Sequence, residues 1–278
     1  MVCGLFGRTR QAWYKQQKGT DRTDIRYAVL IEHVKEIRED MPSIGTRKLH
    51  YLLQPALQQH KIEIGRDKFF DLLAEHGLLV RRHKRRKAIT TNSNHPFYKY
   101  PNLVRELEVI RPNRLWVSDI TYLKLTDNFC YLSLVTDAYS RKIVGYCLYP
   151  DLSRMGPIKA VTMAIEHADR VKQPLIHHSD RGFQYCCADY TMLMEKNNIT
   201  ISMTEKGNPY ENALAERMNG ILKHQFGLNQ VFKNFDEAST AVDRAIKIYN
   251  DRCPHGSCNY LTPTQAHHQN GKLSSKWK

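Results

Sequence analysis

The sequence predicts an α/β protein: a mixed sheet flanked by helices, preceded by a small all-helical region. Three observations predict it. Apolar residues recur at helical spacing through residues 1–80. At Asn113 the period changes to the alternation of strands. From there strands and helices follow one another, which is the pattern of a sheet covered by helices.

Val2, Leu5 and Phe6, then Trp13 and Tyr14, frame a short helix-turn-helix over residues 1–22, with Thr9 as a cap and Arg8, Arg10, Lys15 and Lys18 near the second helix. A second helical module spans 23–88. Ala28, Val29, Ile31, Val34 and Ile37 make its first apolar stripe. Pro42 and Gly45 break the pattern, Thr46 starts TRKLHYLLQ, and RDKFFDLLAEHGLL forms a further helix from about Arg66, stopped by Gly77. Three such helices with tight breaks read as a helix-turn-helix whose recognition helix starts near Gly65–Lys68. RRHKRRK follows, and Arg81, Arg82, Lys84, Arg85, Arg86 and Lys87 make six of its seven residues cationic. These six are candidate phosphate contacts. The polar stretch with Pro96 and Pro101 reads as a linker over 89–112.

Residues 113–278 form the second body. RLWVSDITYLKL, FCYLSLVTDAYS and IVGYCLY read as a three-strand antiparallel meander with turns at Thr126–Asn128 and Ser140–Lys142. A helix over about Gly156–Arg170, a strand LIHHSD, a helix YTMLMEKNN, a strand TISMT and two helices near Glu211–Phe226 and Asp236–Asp251 complete the order.

Composition narrows the function classes. The chain has 278 residues, 41% hydrophobic and 25% charged, enough for a core and incompatible with wholesale disorder. No apolar run reaches the length of a membrane span. Arginines stand where a secretion signal needs apolar residues, and seven scattered cysteines fit a reduced, cytoplasmic setting. The net charge is +14. Residues 1–100 carry 20 basic against 10 acidic side chains, so the excess sits in the helical third. A basic module joined to a balanced one points to a nucleic-acid binder with a separate activity.

Three carboxylates stand out. Asp119 lies inside the first strand among Trp116, Val117, Ile120 and Tyr122, where an unpaired charge is costly. Asp180 ends the fourth strand before Arg181-Gly182, where ligands bind in open α/β sheets. Glu216 lies on a helix. Hard oxygen donors suit Mg²⁺ or Mn²⁺. On the Glu216 helix, Asn212, Asn219 and Lys223 share its face and are candidates to orient the carboxylate and hold DNA. Glu211 points about 140° away by helical geometry and reads as a first-turn charge. Asp137 reads as a strand-end polar group. Of His177 and His178 only one can face the site. Cys253, His255 and Cys258 lack the spacing of a structural zinc. Trp13, Tyr14 and Trp116 read as core aromatics, and PYENALAER as a mobile entry to its helix.

Asp119, Asp180 and Glu216, with 35 residues between the last two, resemble the triad of the DDE transposase and retroviral integrase superfamily. The strings NRLWVSDITYL, LSLVTDAYSRKIVGY, HHSDRGFQY, KGNPYENALAERMNGILKHQ and YNDRCPHGSCNYLTPTQAH resemble, in order, insertion-sequence transposases of the OrfB type, as do GTRKLHYLL and FFDLLAEHGLLVRRHKR. The likeness covers nearly the whole chain. It implies an RNase H-like fold, two divalent metal ions, and cleavage and joining of transposon-end and target DNA. It implies that Asp119 bridges the ions, Asp180 and Glu216 flank it, and Lys223 is a basic residue near them. It also implies a bacterial, nucleoid-associated enzyme, at least dimeric, with an upstream-frame (OrfA) partner or fusion. An RNase H-like nuclease without joining activity, or a DNA-binding regulator with an inactive catalytic domain, are the alternatives.

Overall fold

A computed structural model describes residues 26–80, 95–168, 174–205 and 212–273. The chain divides into two compact units, Met1–Arg81 and Arg82–Lys278. The helix-turn-helix expected over 1–22, with Trp13 and Tyr14, lies outside the described residues. So do the cations Arg81 to Lys87, Glu211 and the start of PYENALAER.

In the first unit, helix α1 (26–40) is followed by α2 (Thr46–Leu52), α3 (Gln54–Gln59) and α4 (Arg66–Glu75). Leu30 and Val34 of α1, Leu49 of α2, Leu57 of α3, and Phe69 and Leu73 of α4 are all buried, so each helix closes on a shared apolar core. The α4 terminus follows its sequence signal. Gly77 takes φ of 65°, and the Leu78 amide turns back to the Leu73 carbonyl at 2.7 Å. Arg38 then donates to the Leu78 carbonyl at 2.6 Å, tying the exit of α4 to α1.

The second unit is built on a sheet of β1 (Leu115–Leu125), β2 (Phe129–Asp137), β3 (Ile143–Tyr149), β4 (Leu175–Ser179), β5 (Ile199–Met203) and the short β6 (Val231–Phe232). Strands β3, β2 and β1 form the expected antiparallel meander, and β4 and β5 add parallel on the other side of β1. The two-residue β6, not anticipated from sequence, pairs parallel with the far end of β1.

Helix α5 (Met155–His167) packs on β3 and β2 through Ala160, Val161 and Ala164. It ends at His167, short of the expected Arg170. Gly145 permits this packing, because a Cβ there would meet the Ala160 carbonyl oxygen at 2.0 Å. The chain runs on through β4, α6 (Phe183–Cys186), α7 (Ala188–Lys196), β5, α8 (Ala213–Gln225), α9 (Phe235–Arg252) and α10 (Pro263–His267). Helix α9 is capped by Asn234, whose side chain accepts from the Glu237 amide at 2.9 Å.

Strand β1 divides the two cores by its alternation. Trp116 packs with Tyr185, Tyr190 and the α5 alanines, whereas Leu115 and Val117 pack with Ala215 of α8. Trp116 is a core aromatic as expected, with its indole N–H on Asn113 at 3.0 Å.

The expected linker over 89–112 differs in its described part. Residues 95–112 are bound along the edge strand β5 and beyond. The Met203 amide donates to the Pro101 carbonyl at 3.2 Å, the Leu103 amide to Ser202 Oγ at 2.9 Å, and Arg105 pairs with Glu205 at 2.6 Å. An edge strand leaves backbone groups unpaired, and this strap covers them.

Candidate active site

Val117 pairs with His178 across the parallel β1–β4 ladder. Two residues further on, Asp119 and Asp180 therefore stand level at the carboxyl end of β4. Both lie on the face that carries Val117 and Ile176, the side covered by α8. Helix α8 brings Glu216 in its first turn, and Asn219 and Lys223 at successive positions along the same stripe.

Asp119 is partly buried and fixed at both oxygens. The Ile120 amide donates to Oδ1 at 2.9 Å and the Asn219 side-chain amide donates to Oδ2 at 2.8 Å. Burial, then the charge of Asp180, push its carboxyl up to about 7; Glu216 adds to this, and the two hydrogen bonds pull against it. Asp180 accepts from the Gly182 amide at 3.0 Å. Gly182 leaves room for that bend, since a Cβ would meet Gln184 Oε1 at 2.9 Å and Asp180 Oδ1 at 3.1 Å.

Glu216 is exposed. Among the described residues no three His, Cys, Asp or Glu side chains converge closely enough to form a finished cation site. The donor set nevertheless fits hard divalent cations. Asp119 and Asp180 share one end of the sheet, Glu216 acts on Asp119 from α8, and burial together with the Asp180 charge holds Asp119 up in pKa. Asp119, Asp180 and Glu216 are the residues that could hold such ions.

Lys223 stands on the same side. Its ammonium lies 4.2 Å from the centroid of the Tyr122 ring, a cation–π contact. Burial lowers its pKa, and Asp119 opposes that. Asn212 and Asn219 are the candidates to orient the carboxylate and hold DNA. Both are buried. Asn212 donates to the Ser118 carbonyl at 3.2 Å and Asn219 to Asp119, so their amides brace β1 from within.

The two histidines split as strand alternation requires. His178 shares the Asp180 face and pairs through Nδ1 with Ser202 Oγ at 2.9 Å. His177 turns to the opposite core, where its Nε2 meets Ser118 Oγ at 2.7 Å and the Tyr190 hydroxyl at 3.0 Å. Burial lowers its pKa to about 3, with His178 adding to the effect, so this imidazole is neutral.

Asp137 is a structural group. It is fully buried and accepts from the Asn113 amide at 2.7 Å, the Ser140 amide at 2.8 Å and Ser140 Oγ at 2.7 Å. The would-be zinc group is also spent elsewhere. His255 Nε2 pairs with the Tyr249 hydroxyl at 2.9 Å, and Cys253 accepts from Gln225 at 3.1 Å.

Sequence reasoning missed Tyr185. Its ring is buried and edge-on to Tyr190 at 5.4 Å, and among the described residues its hydroxyl has no hydrogen-bond partner. Burial raises its pKa first, then Tyr190, with Asp180 and Asp119 adding to the effect. The signal was the string SDRGFQY, which places an aromatic one short helix after Asp180.

Comparison with known proteins identifies the family. Two family models, both described as Integrase core domain, match residues 110–209 and 197–263. The chain is 34% identical over 270 residues to the insertion element IS600 uncharacterized 31 kDa protein of Shigella sonnei, covering 94% of this chain and 96% of that one. It is 32% identical over 160 residues to the transposase InsF for insertion sequence IS3A of Escherichia coli, covering 57% and 55%. Its fold is shared with a chain of the simian T-cell lymphotropic virus intasome solved in complex with a PP2A regulatory subunit, at a TM-score of 0.50 and 21% identity, covering 81% of this chain and 75% of that one. The chain belongs to the DDE transposase and integrase superfamily, with an RNase H-like core and polynucleotidyl transferase activity.

Proposed function

We propose that this superfamily member binds the ends of an insertion sequence, cuts a strand there and joins it to target DNA, using Asp119, Asp180 and Glu216 as its catalytic carboxylates. The observation that carries the proposal is the meeting of Asp119 and Asp180 at one level of the sheet, with the Glu216 helix bonded to Asp119 through Asn219. The three side chains would hold two divalent cations, Mg²⁺ or Mn²⁺. Such a pair, when bound, stabilises both the attacking and the leaving oxygen of a phosphodiester.

The remaining work falls to the chain itself. Asn219 and the Ile120 amide fix the rotamer of Asp119, and the Gly182 amide fixes that of Asp180. Lys223, whose ammonium lies over the Tyr122 ring, would meet a DNA phosphate on this side of the sheet. Asn212 keeps the start of α8 against β1, so that Glu216 can close on the other two. No side-chain nucleophile is needed, because water and then a DNA 3′-hydroxyl attack. The cationic run Arg81, Arg82, Lys84, Arg85, Arg86 and Lys87 would tether phosphates in a salt-dependent way. Two element ends must be held together, so the working enzyme is at least a dimer, formed alone or with an OrfA partner or fusion. The site of action is the bacterial cytoplasm. Among the described residues no helix is long and apolar enough to cross a membrane.

The test is strand transfer with purified chain, Mn²⁺ or Mg²⁺, and labelled duplex carrying the flanking element's end. Joined product is expected, and it disappears without metal and in Glu216→Gln. Product that persists in Glu216→Gln would overturn the carboxylate assignment. Cleavage with no joining, even in a fusion with the upstream frame, would make the chain a nuclease instead.

A further inference from the structure

The strap 95–100 presents an unusual surface beside Asp180. Tyr98 is 70% exposed, the highest of the exposed aromatics among the described residues, and its neighbour Phe97 is 42% exposed. Neither ring is loose. Phe97 leans on the His95 ring at 5.5 Å between centroids, and Tyr98 stands edge-on to Tyr100 at 5.0 Å. Tyr100 in turn packs on the core that holds Tyr185 and Tyr190. Single exposed apolar residues are ordinary. Two adjacent rings, each propped by a second ring, are a built surface.

Its position is set by one bond. His95 Nε2 donates to the carbonyl of Arg181 at 2.8 Å, and Arg181 directly follows Asp180. The surface carries positive charge: Lys99 directly follows Tyr98, and the carbonyl that His95 holds is that of Arg181. Among the described residues the Arg181 Nε–H has no acceptor.

Exposed aromatic faces interleaved with cations are the features that bind unpaired nucleotides, by stacking on the base and attracting the phosphate. A duplex hides its base faces in the stack, so only a nucleotide released from pairing can use such a platform. We infer that Phe97 and Tyr98, with Lys99 and Arg181, form a stacking site for an unpaired nucleotide of the DNA strand that runs past Asp180. The inference rests on the DNA-directed reading of the site proposed above. It adds that the enzyme holds DNA locally opened next to the scissile phosphate.

The experiment uses the full chain in metal-free buffer, so that no chemistry intervenes. The probes are a short duplex of arbitrary sequence, either blunt or with a single-stranded flank carrying 2-aminopurine. Wild type is expected to bind the flanked duplex more tightly and to quench the 2-aminopurine. The Phe97→Ala/Tyr98→Ala double variant is expected to lose about fivefold or more of that affinity, and the quenching, while binding the blunt duplex as wild type does. The Tyr98→Phe variant should keep both, since the ring is retained. Equal affinity and equal quenching in the double variant would overturn the stacking site. So would a wild type that binds the blunt duplex but gains nothing from the flank. A wild type that binds neither duplex would overturn the DNA-directed reading as well.

Discussion

The side-chain amide of Asn219 reaches from α8 to Asp119 Oδ2 on β1, at 2.8 Å. It is a side-chain donor that holds Asp119, and it comes from the helix that carries Glu216. Asn219→Ala is therefore expected to lower both strand transfer and apparent cation affinity by about tenfold or more, as outer-sphere partners of metal ligands do. The fold should be retained, because one buried hydrogen bond is worth only about 1 kcal/mol. Titrating Mn²⁺ against product yield checks this, and an unchanged Mn²⁺ requirement would refute the role.

Asp119 has its pKa raised from 3.8 to about 7, chiefly by burial and then by Asp180. Between those values the native state holds a proton that the unfolded chain has released. Stability from this group thus falls as pH rises from about 4 to about 7, and levels off above. Asp119→Asn removes the effect. It should melt at a higher temperature than wild type in metal-free buffer at pH 8, with the gap closing toward pH 4. Cation binding should displace that proton, so apparent affinity rises by about tenfold per pH unit below 7 and flattens beyond it. A pH-independent affinity would argue against Asp119 as a ligand.

Two glycines separate fold from site. Gly145→Ala drives a methyl group into the α5 backbone, with the Ala160 carbonyl at 2.0 Å and Ala164 at 2.9 Å. It should cost about 3 kcal/mol or more and show as poor solubility or a large loss of denaturation midpoint. Gly182→Ala meets only Gln184 Oε1 and Asp180 Oδ1, side-chain atoms beside the proposed chemistry. It should leave the melting temperature nearly unchanged and reduce turnover. Equal thermal effects in the two variants would contradict this division.

Asp137 gathers three hydrogen bonds around the β2–β3 turn and lies 3.7 Å from His267 of α10. Ser140 Oγ completes the link with His267 Nδ1 at 2.9 Å. Asp137→Ala leaves buried donors unpaired and is expected to destabilise the unit by about 3 kcal/mol. Limited proteolysis should then cut first near α10. Cutting at the wild-type rate would show that the link is not what holds that helix.

Some of this site was legible without coordinates. Asp119 announced itself because a carboxylate amid strand-forming apolar residues is costly unless it has a purpose. The reading of α4 rested on its apolar spacing and on Gly77, both of them local properties. Other features were not legible. Alternation along one strand puts His178 on the Asp180 face, but that His178 meets Ser202 and His177 meets Ser118 depends on the register of β4 against its neighbours, which no single strand encodes. Asn212 and Asn219 share the helical stripe of Glu216, yet the stripe does not say that their amides turn inward to β1. The segment 95–112 has a linker's composition. Its attachment to β5 follows from an edge strand that needs partners, which the segment's own residues do not reveal.

The sequence by itself determined the local elements, the charge that sends the chain to a polyanion, and the three acidic positions, because periodicity, propensity and composition act within a few residues. Tertiary structure alone decided that Asp119 and Asp180 stand level, that Asn219 holds one of them, and that the strap carrying Phe97 and Tyr98 is tied through His95 to the residue after Asp180. Those relations join residues distant in the chain. They are fixed by which strands pair and which faces are buried together, and that choice is made by the packing of the whole core.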